Sequence, residues 1–507
     1  MKKILRFLTQ RVVLTALLIL IQALLLFGII WKLNNYFIYF YAFSVLLSLL
    51  LTLRIINNKS NPAFKIAWLI PILLFPVLGG LVYLVFGSDR TGKYIRNKMG
   101  RIEKEMQDGI SKANERSGIE KMPPDVVNQS HYISNSAHCP PYKNTTVEYL
   151  PMGEVKFERM VQELKKAKRY IFMEYFIIQE GTMWNTILDV LEEKAKEGVD
   201  VRVIYDMGCI LTLPTGYEKT LREKGIQCQI FNPFIPILSS HFNTRDHRKI
   251  CVIDGNVGFT GGINLADEYI NGYEKHGHWK DTAILLKGEA VFSLTTMFLS
   301  MWDYLIKKEG EDYAAYYPDS WDENAQGIVQ PFADNPLDDE AVGETVYLNL
   351  INKAKRYVYI TTPYLILSNE MVTAMNTAAK SGVDVRIITP HVPDKWYVHA
   401  VSRSYYEMLV EAGVKIYEYT PGFVHAKTFV VDDEYAVVGT INLDYRSLYL
   451  HFECAAWMYK ASCVTDVRDD FLKTQQMSQE ITLEECRNIS IPRRLGRSVL
   501  RVLAPLM

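Results

Sequence analysis

A chain of 507 residues is too long for a single hydrophobic core, so two or more structural units are expected. The formal net charge of −1 excludes a global pull towards nucleic acid, and seven scattered cysteines without Cys-x-x-Cys spacing argue against a disulfide framework or a zinc knuckle. The apolar fraction, 49%, is ordinary but unevenly spread: the first 88 residues carry long apolar runs, and the remainder reads as an α/β protein.

Residues 12–30 form a run whose polar members are Thr15 and Gln22. As a helix it would be roughly 28 Å long, about the thickness of a bilayer core. Residues 36–53 form a second run, with Tyr36, Phe37, Tyr39, Phe40 and Tyr41 gathered at one end like an interfacial belt. Residues 66–86 form a third, interrupted by Pro71 and Pro76; its alternative is a re-entrant or interfacial piece. The reading is about three hydrophobic helices over 1–88 and a multi-pass protein of a cell membrane. The flanking charges conflict over orientation, because Lys2, Lys3, Arg6 and Arg11 favour a cytoplasmic start while Arg90 to Lys104 follow the third run.

Residues 89–140 are expected to connect membrane and soluble parts, as a helix to about residue 117 followed by a loop through Met122-Pro123-Pro124 and Cys139-Pro140-Pro141. The chain then repeats itself. Ala167-Lys168-Arg169-Tyr170 recurs as Ala354-Lys355-Arg356-Tyr357, and Gly198-Val199-Asp200-Val201-Arg202 recurs as Gly382-Val383-Asp384-Val385-Arg386. Short β-branched runs alternate with segments of helical spacing, which predicts two pseudo-symmetric α/β halves with mixed, largely parallel sheets. The halves are placed at 141–311 and 327–490, divided by an acidic linker at 312–326. The tail, 491–507, interleaves Arg493, Arg494, Arg497 and Arg501 with Leu495, Val499, Leu500, Val502 and Leu503. It reads either as a basic amphipathic helix on anionic lipid or as an ordinary packed terminal helix.

The strongest signal is a pair of matched stretches. His247-Arg248-Lys249 runs through four residues to Asp254, and His425-Ala426-Lys427 runs through four to Asp432. Each continues to a glycine-bearing turn and an Asn, Gly261-Gly262-Ile263-Asn264 and Gly439-Thr440-Ile441-Asn442. On a strand, His247 and Lys249 share a face, as do His425 and Lys427, whereas Asp254 and Asp432 have the opposite parity and should make turn or ion-pair contacts. A phosphodiester is an anion that resists nucleophiles. Lys249, Lys427, Asn264 and Asn442 could surround its non-bridging oxygens with positive charge and amide donors. One imidazole could attack phosphorus, giving a phosphohistidine, while the other protonates the leaving alkoxide. Each ring needs an acceptor on its second nitrogen; Asp281 and Glu453, each following the His of its own half, are the candidates. The scheme needs no metal and no cofactor, and no His, Asp or Glu cluster has helical or hairpin ligand spacing.

The paired stretches resemble the phospholipase D superfamily, and the order of parts is similar to bacterial cardiolipin synthases. Phe242-Asn243-Thr244-Arg245-Asp246-His247, Asn442-Leu443-Asp444-Tyr445-Arg446-Ser447 and Pro76-Val77-Leu78-Gly79 carry that likeness. The resemblance implies a phosphatidyltransferase that joins two phosphatidylglycerols into cardiolipin and releases glycerol. It makes His247 the nucleophile and His425 the acid and base, with Lys249, Lys427, Asn264 and Asn442 holding phosphate and Asp254 and Asp432 as motif members. Phosphatidylglycerol and anionic membrane lipids are the implied partners, and no nucleic acid is expected. The alternatives are a phospholipase D-type hydrolase, with water as acceptor, and a phosphodiesterase or nuclease of the same fold.

Overall fold

The computed structural model describes residues 36–87, 119–233, 244–308, 310–338 and 340–506, with scattered positions in 20–28 and 97–110. The described residues fall into two compact units, one drawn from Met1–Lys93, Pro236–Phe242 and Arg501–Met507, the other from Tyr94–Ile235 and Asn243–Leu500.

In the first unit, the helix Phe37–Ile56 has 20 residues and is the one helix among the described residues long and apolar enough to cross a membrane. The expected third segment is corrected. It is two helices, Pro62–Leu74 and Pro76–Phe86, meeting at a non-helical Phe75. Pro76 lacks an N–H and biases the residue before it out of the helical region, so the turn falls there. At 1.5 Å per residue the pieces are about 20 and 16 Å long, each too short for a bilayer core of about 30 Å. The corner is tight: a Cβ on Gly79 would lie 2.5 Å from the Pro71 carbonyl oxygen. Leu51, Ile55, Ile72 and Tyr83 form a small common core, with Trp68 edge-on to Tyr83 at 5.4 Å. The expected segment 12–30 lies outside the described residues except for scattered helical positions.

The second unit holds two sheets of matching order. The first half supplies β1 (Thr145–Leu150), β2 (Tyr170–Tyr175), β3 (Asp200–Asp206), β4 (Gln227–Phe231), β5 (Arg245–Asp246), β6 (Lys249–Ile253), β7 (Val257–Gly261), β8 (His278–Lys280) and β9 (Ala283–Gly288). The second half supplies β10 (Ile328–Asp334), β11 (Tyr357–Thr361), β12 (Asp384–Pro390), β13 (Lys415–Tyr419), β14 (Gly422–Val424), β15 (Thr428–Val431), β16 (Tyr435–Gly439), β17 (His451–Tyr459) and β18 (Ser478–Glu480). One sheet runs β1-β9-β7-β6-β2-β3-β4, and the other runs β10-β17-β16-β15-β11-β12-β13-β18. Strand for strand, the first seven positions correspond, which is the internal repeat made visible.

The sheets are mixed, but the expectation of largely parallel pairing is corrected. Along these two strand orders, parallel pairing is confined to β2-β3-β4 and β11-β12-β13, the strands joined by helical crossovers, and the two-residue β5 adds a parallel pairing to β17. The motif strands β6 and β15 turn straight back into β7 and β16, and a short turn permits only antiparallel pairing. The expected loop after residue 122 is also corrected, because Pro124–Ser136 is a helix. Pro124 occupies the first helical position, where its missing N–H costs nothing. Val126, Gln129, Ser130 and Ile133 give that helix a buried face. It docks on the second half, where Gln330 donates to the Ser130 and Cys139 carbonyls and the Tyr435 hydroxyl donates to Asp125.

Candidate active site

Each motif histidine is delivered by a short strand that pairs with the opposite half. In β5, Arg245 and Asp246 pair in parallel with His451 and Phe452 of β17, and the His247 N–H donates to the Phe452 carbonyl at 2.9 Å. The register continues by one step, so His247 lies beside Glu453. In β14, Gly422, Phe423 and Val424 pair in parallel with His278, Trp279 and Lys280 of β8, and the His425 N–H donates to the Lys280 carbonyl at 2.6 Å. One step further puts His425 beside Asp281.

The side chains follow the backbone. His247 Nδ1 is 2.9 Å from both oxygens of Glu453, and His425 Nδ1 is 2.7 Å from Asp281 Oδ2. A carboxylate accepts from Nδ1–H, which leaves each Nε2 bare and able to act as a base or nucleophile. The expectation that each carboxylate serves the His of its own half is therefore corrected. The partners are exchanged, because the carboxylate lies on the strand with which the other half's His segment pairs.

Two local devices seat the carboxylates. A Cβ on Gly262 would lie 2.1 Å from Asp281 Oδ1, so only glycine leaves room there. At the matching position of the second half, the Thr440 hydroxyl donates to Glu453 Oε2. Both histidines are 7% exposed, and Lys249, Lys427, Asp281 and Glu453 are buried. Each ammonium donates to the carbonyl of the His two residues earlier.

Charges of each stretch act on the groups of the other. Burial pushes the His247 imidazole well below its usual range, and Lys249, Lys427 and His425 add to the effect. Burial, with Lys427, lowers His425 to about 4 despite Asp281 beside it. Burial lowers Lys249 to about 8 and Lys427 to about 7 against the pull of both carboxylates. Asp281 is pushed up by burial, but His425 and Lys427 outweigh that and leave it below the ordinary carboxylate range. Positive charge crowded into a buried cleft disfavours every cation there, and an arriving anion would relieve it.

The walls differ. His247 has Phe176 edge-on at 4.8 Å and His451 at 5.7 Å, whereas His425 is surrounded by Trp279, Tyr269 and Phe423 at 5.6–5.8 Å. Asp254 and Asp432 stand at the far ends of β6 and β15, roughly 20 Å along the strand from their histidines. Asp254 accepts from the N–H groups of Lys168, Arg169 and Tyr170, and Asp432 from those of Lys355, Arg356 and Tyr357. Both adopt positive φ, 54° and 55°, at the turn. Asn264 accepts from the Ile177 N–H and donates to the Tyr269 hydroxyl, and Asn442 donates to Ser447. Each amide retains one N–H beyond those bonds.

Among the described residues, His247, His451 and Glu453 bring three potential metal-ligating atoms within 4.8 Å of one another. The sequence shows no such cluster, since two of its members share a strand and the third comes from the other half. The donor set fits a cation poorly. His247 Nδ1 is committed to Glu453, and Lys249 and Lys427 already crowd the ring with positive charge.

Two segments, residues 160–302 and 347–475, match the family model described as cardiolipin synthase, PLD-like domain. The chain belongs to the phospholipase-D-like cardiolipin synthase family. Residues 46–88 match a second model, the phospholipase D-nuclease N-terminal segment. The chain is 36% identical to a cardiolipin synthase of Alkalihalophilus pseudofirmus over 89% of its own length and 90% of that protein. It is 36% identical to a cardiolipin synthase of Geobacillus kaustophilus over 92% and 94%. It is also 47% identical to an uncharacterized protein of Streptococcus mutans serotype c over 90% and 99%. A crystal structure of the phosphatidylserine synthase of Haemophilus influenzae Rd KW20 shares the fold, with a TM-score of 0.58 at 14% identity over 75% of this chain and all of that one.

Several residues around the family motif escape sequence reasoning. Arg245 pairs with buried Asp206, and Arg248 pairs with buried Glu174 and Asp246. Lys156, its ammonium lowered to about 7 by burial, donates to the Ile263 carbonyl at 2.9 Å, one residue from Asn264. Arg245 carried a signal, standing two residues before His247 and so on the same strand face; Lys156, on the helix Gly153–Leu164, carried none.

Proposed function

We propose that this protein acts as a cardiolipin synthase, transferring a phosphatidyl group from one phosphatidylglycerol to another. His247 Nε2 attacks the phosphorus of the first lipid, forming a P–N bond as the P–O bond to the glycerol headgroup breaks. With the anionic phosphate bound, His425 carries a proton on Nε2 as well as on Nδ1; it gives the Nε2 proton to that oxygen, and glycerol leaves. His425 then takes the proton of a headgroup hydroxyl on the second lipid, whose oxygen attacks phosphorus and expels His247. Lys249 and Lys427 hold the phosphate oxygens throughout, aided by Asn264 and Asn442. The assignment of His247 as nucleophile follows the family resemblance. The helix Phe37–Ile56 anchors the chain in the cell membrane.

The observation that carries this reading is the exchange of carboxylates, His247 to Glu453 and His425 to Asp281, which brings two bare Nε2 atoms and two ammoniums from opposite halves into one buried field. The test is purified protein with phosphatidylglycerol as sole lipid, in chelator, with lipid products and glycerol identified. Cardiolipin with equimolar glycerol is expected, and His247→Ala and His425→Ala each abolish it. Phosphatidic acid as the product would make the protein a hydrolase instead.

A further inference from the structure

Resting on that reading, we propose that the rim of the cleft and the C-terminal helix form one docking face that seats the catalytic unit on an anionic bilayer. The cleft lies at the carboxyl ends of the parallel strands, because Lys249 pairs with Tyr175 at the end of β2 and Thr428 with Thr361 at the end of β11. The segments leaving the neighbouring strands β3 and β12 therefore border it. After β3 comes the turn Met207–Leu211, tied to the site through Cys209, whose thiol reaches the carbonyl of Phe176, the residue against His247. After β12, the Val392 N–H donates to the carbonyl of Gly422 at the start of β14, and the helix Trp396–Glu411 begins. These segments carry Ile210, Leu211 and Trp396, which are 53%, 62% and 73% exposed, with the amphipathic Tyr397 beside them. Exposed apolar bulk beside a cleft with Trp and Tyr at its edge is the composition of a membrane interface.

The helix Ile491–Leu503 extends this surface. Ile491, Leu495 and Val499 repeat every four residues and make one stripe, yet they are 83%, 65% and 54% exposed. A packed terminal helix would turn that stripe inwards. Here the other side faces protein: Arg494 reaches Glu407 on the helix Trp396–Glu411 at 3.4 Å. Arg497 is crowded by Arg403 and Arg493 and lies close enough to sense His399, one turn from Trp396. An outward apolar stripe beside a surplus of arginine matches an anionic headgroup layer above acyl chains. A protein partner would need acidic groups around an apolar groove, and a second copy would bring the same arginines into opposition.

The test uses the full chain, with Cys486→Ser to remove the half-exposed thiol, reconstituted in vesicles of phosphatidylglycerol and phosphatidylcholine. A bimane is attached at Leu495→Cys, at Trp396→Cys, or at Lys168→Cys, which precedes β2 at the end of the strands away from the site. Shallow doxyl-labelled lipid should quench the first two labels at least about threefold more than the third, as expected for side chains seated among headgroups. Equal quenching, or a Leu495 label shielded only on forming a cross-linked dimer, would overturn the proposal. In a second arm, Leu495→Glu with Val499→Glu should slow turnover of long-chain phosphatidylglycerol in vesicles about tenfold, equivalent to about 1.4 kcal/mol, and leave turnover of a dispersed short-chain analogue unchanged. Quenching without lipid turnover in either format would keep the docking face and remove the transfer reading. Turnover with unquenched labels would do the reverse.

Discussion

Replacing Glu453 by Gln removes one negative charge from beside His247 while keeping a side chain of nearly the same size. In the native site that carboxylate meets His247 Nδ1 with both oxygens at 2.9 Å and accepts from the Thr440 hydroxyl. A hydrogen bond to a charged partner contributes about 1.5–3 kcal/mol, so the loss should slow any step in which His247 becomes cationic roughly 10- to 150-fold. Asp281→Asn should have a similar magnitude but act on His425 instead. The two variants are then separable by when the chemistry stalls. With labelled phosphatidylglycerol and a rapid quench under mild alkali, Glu453→Gln should show little phosphoryl-protein. Asp281→Asn should slow both its formation and its breakdown, because His425 protonates the leaving glycerol in the first step and deprotonates the acceptor in the second. If Asp281→Asn abolished the adduct and Glu453→Gln accumulated it, the exchange of carboxylates between the halves would not govern the reaction.

Other expectations follow from named contacts. Gly262→Ala should displace the Asp281 carboxylate from His425 and lower kcat at least about tenfold, with a stability loss of about 1–3 kcal/mol from overpacking; a normal kcat would show that the turn yields. Raising the pH through about 7 and then 8 should deprotonate Lys427 and then Lys249 in the free enzyme. Phosphate binding favours their charged forms, so KM for phosphatidylglycerol should climb across that interval, and a flat KM would remove both ammoniums from binding. Asp432→Ala strands three buried or half-buried N–H groups and should cost about 2–3 kcal/mol of stability, read as a lower Tm, with near-normal kcat in the folded fraction. Lost catalysis at an unchanged Tm would place Asp432 in the chemistry instead of the turn.

Much of this architecture is legible without coordinates because it is local. Val199-Asp200-Val201-Arg202 and its repeat at 383–386 announce strands by composition, and the order of landmarks announces two related halves. Strand parity separates Asp254 and Asp432 from their histidines on the face they occupy. Direction of pairing is less legible. The eye follows the βαβ alternation to a parallel sheet, but β6 and β15 leave through short turns and must run antiparallel. Proline misleads twice. Pro124 starts a helix where a loop is expected, and Pro76 divides a run that composition alone would extend.

The sequence by itself determined which polar groups recur in both halves: two imidazoles, two ammoniums, two amides and two carboxylates, each recurring because the chain repeats. Only the tertiary structure decided who serves whom. Glu453 lies far from His247 along the chain, yet stands one register step from it across the β5–β17 pairing, and Asp281 stands likewise to His425 across β14–β8. That relation is a product of two backbones meeting, and hydrogen-bond register between halves leaves no periodic trace in either one.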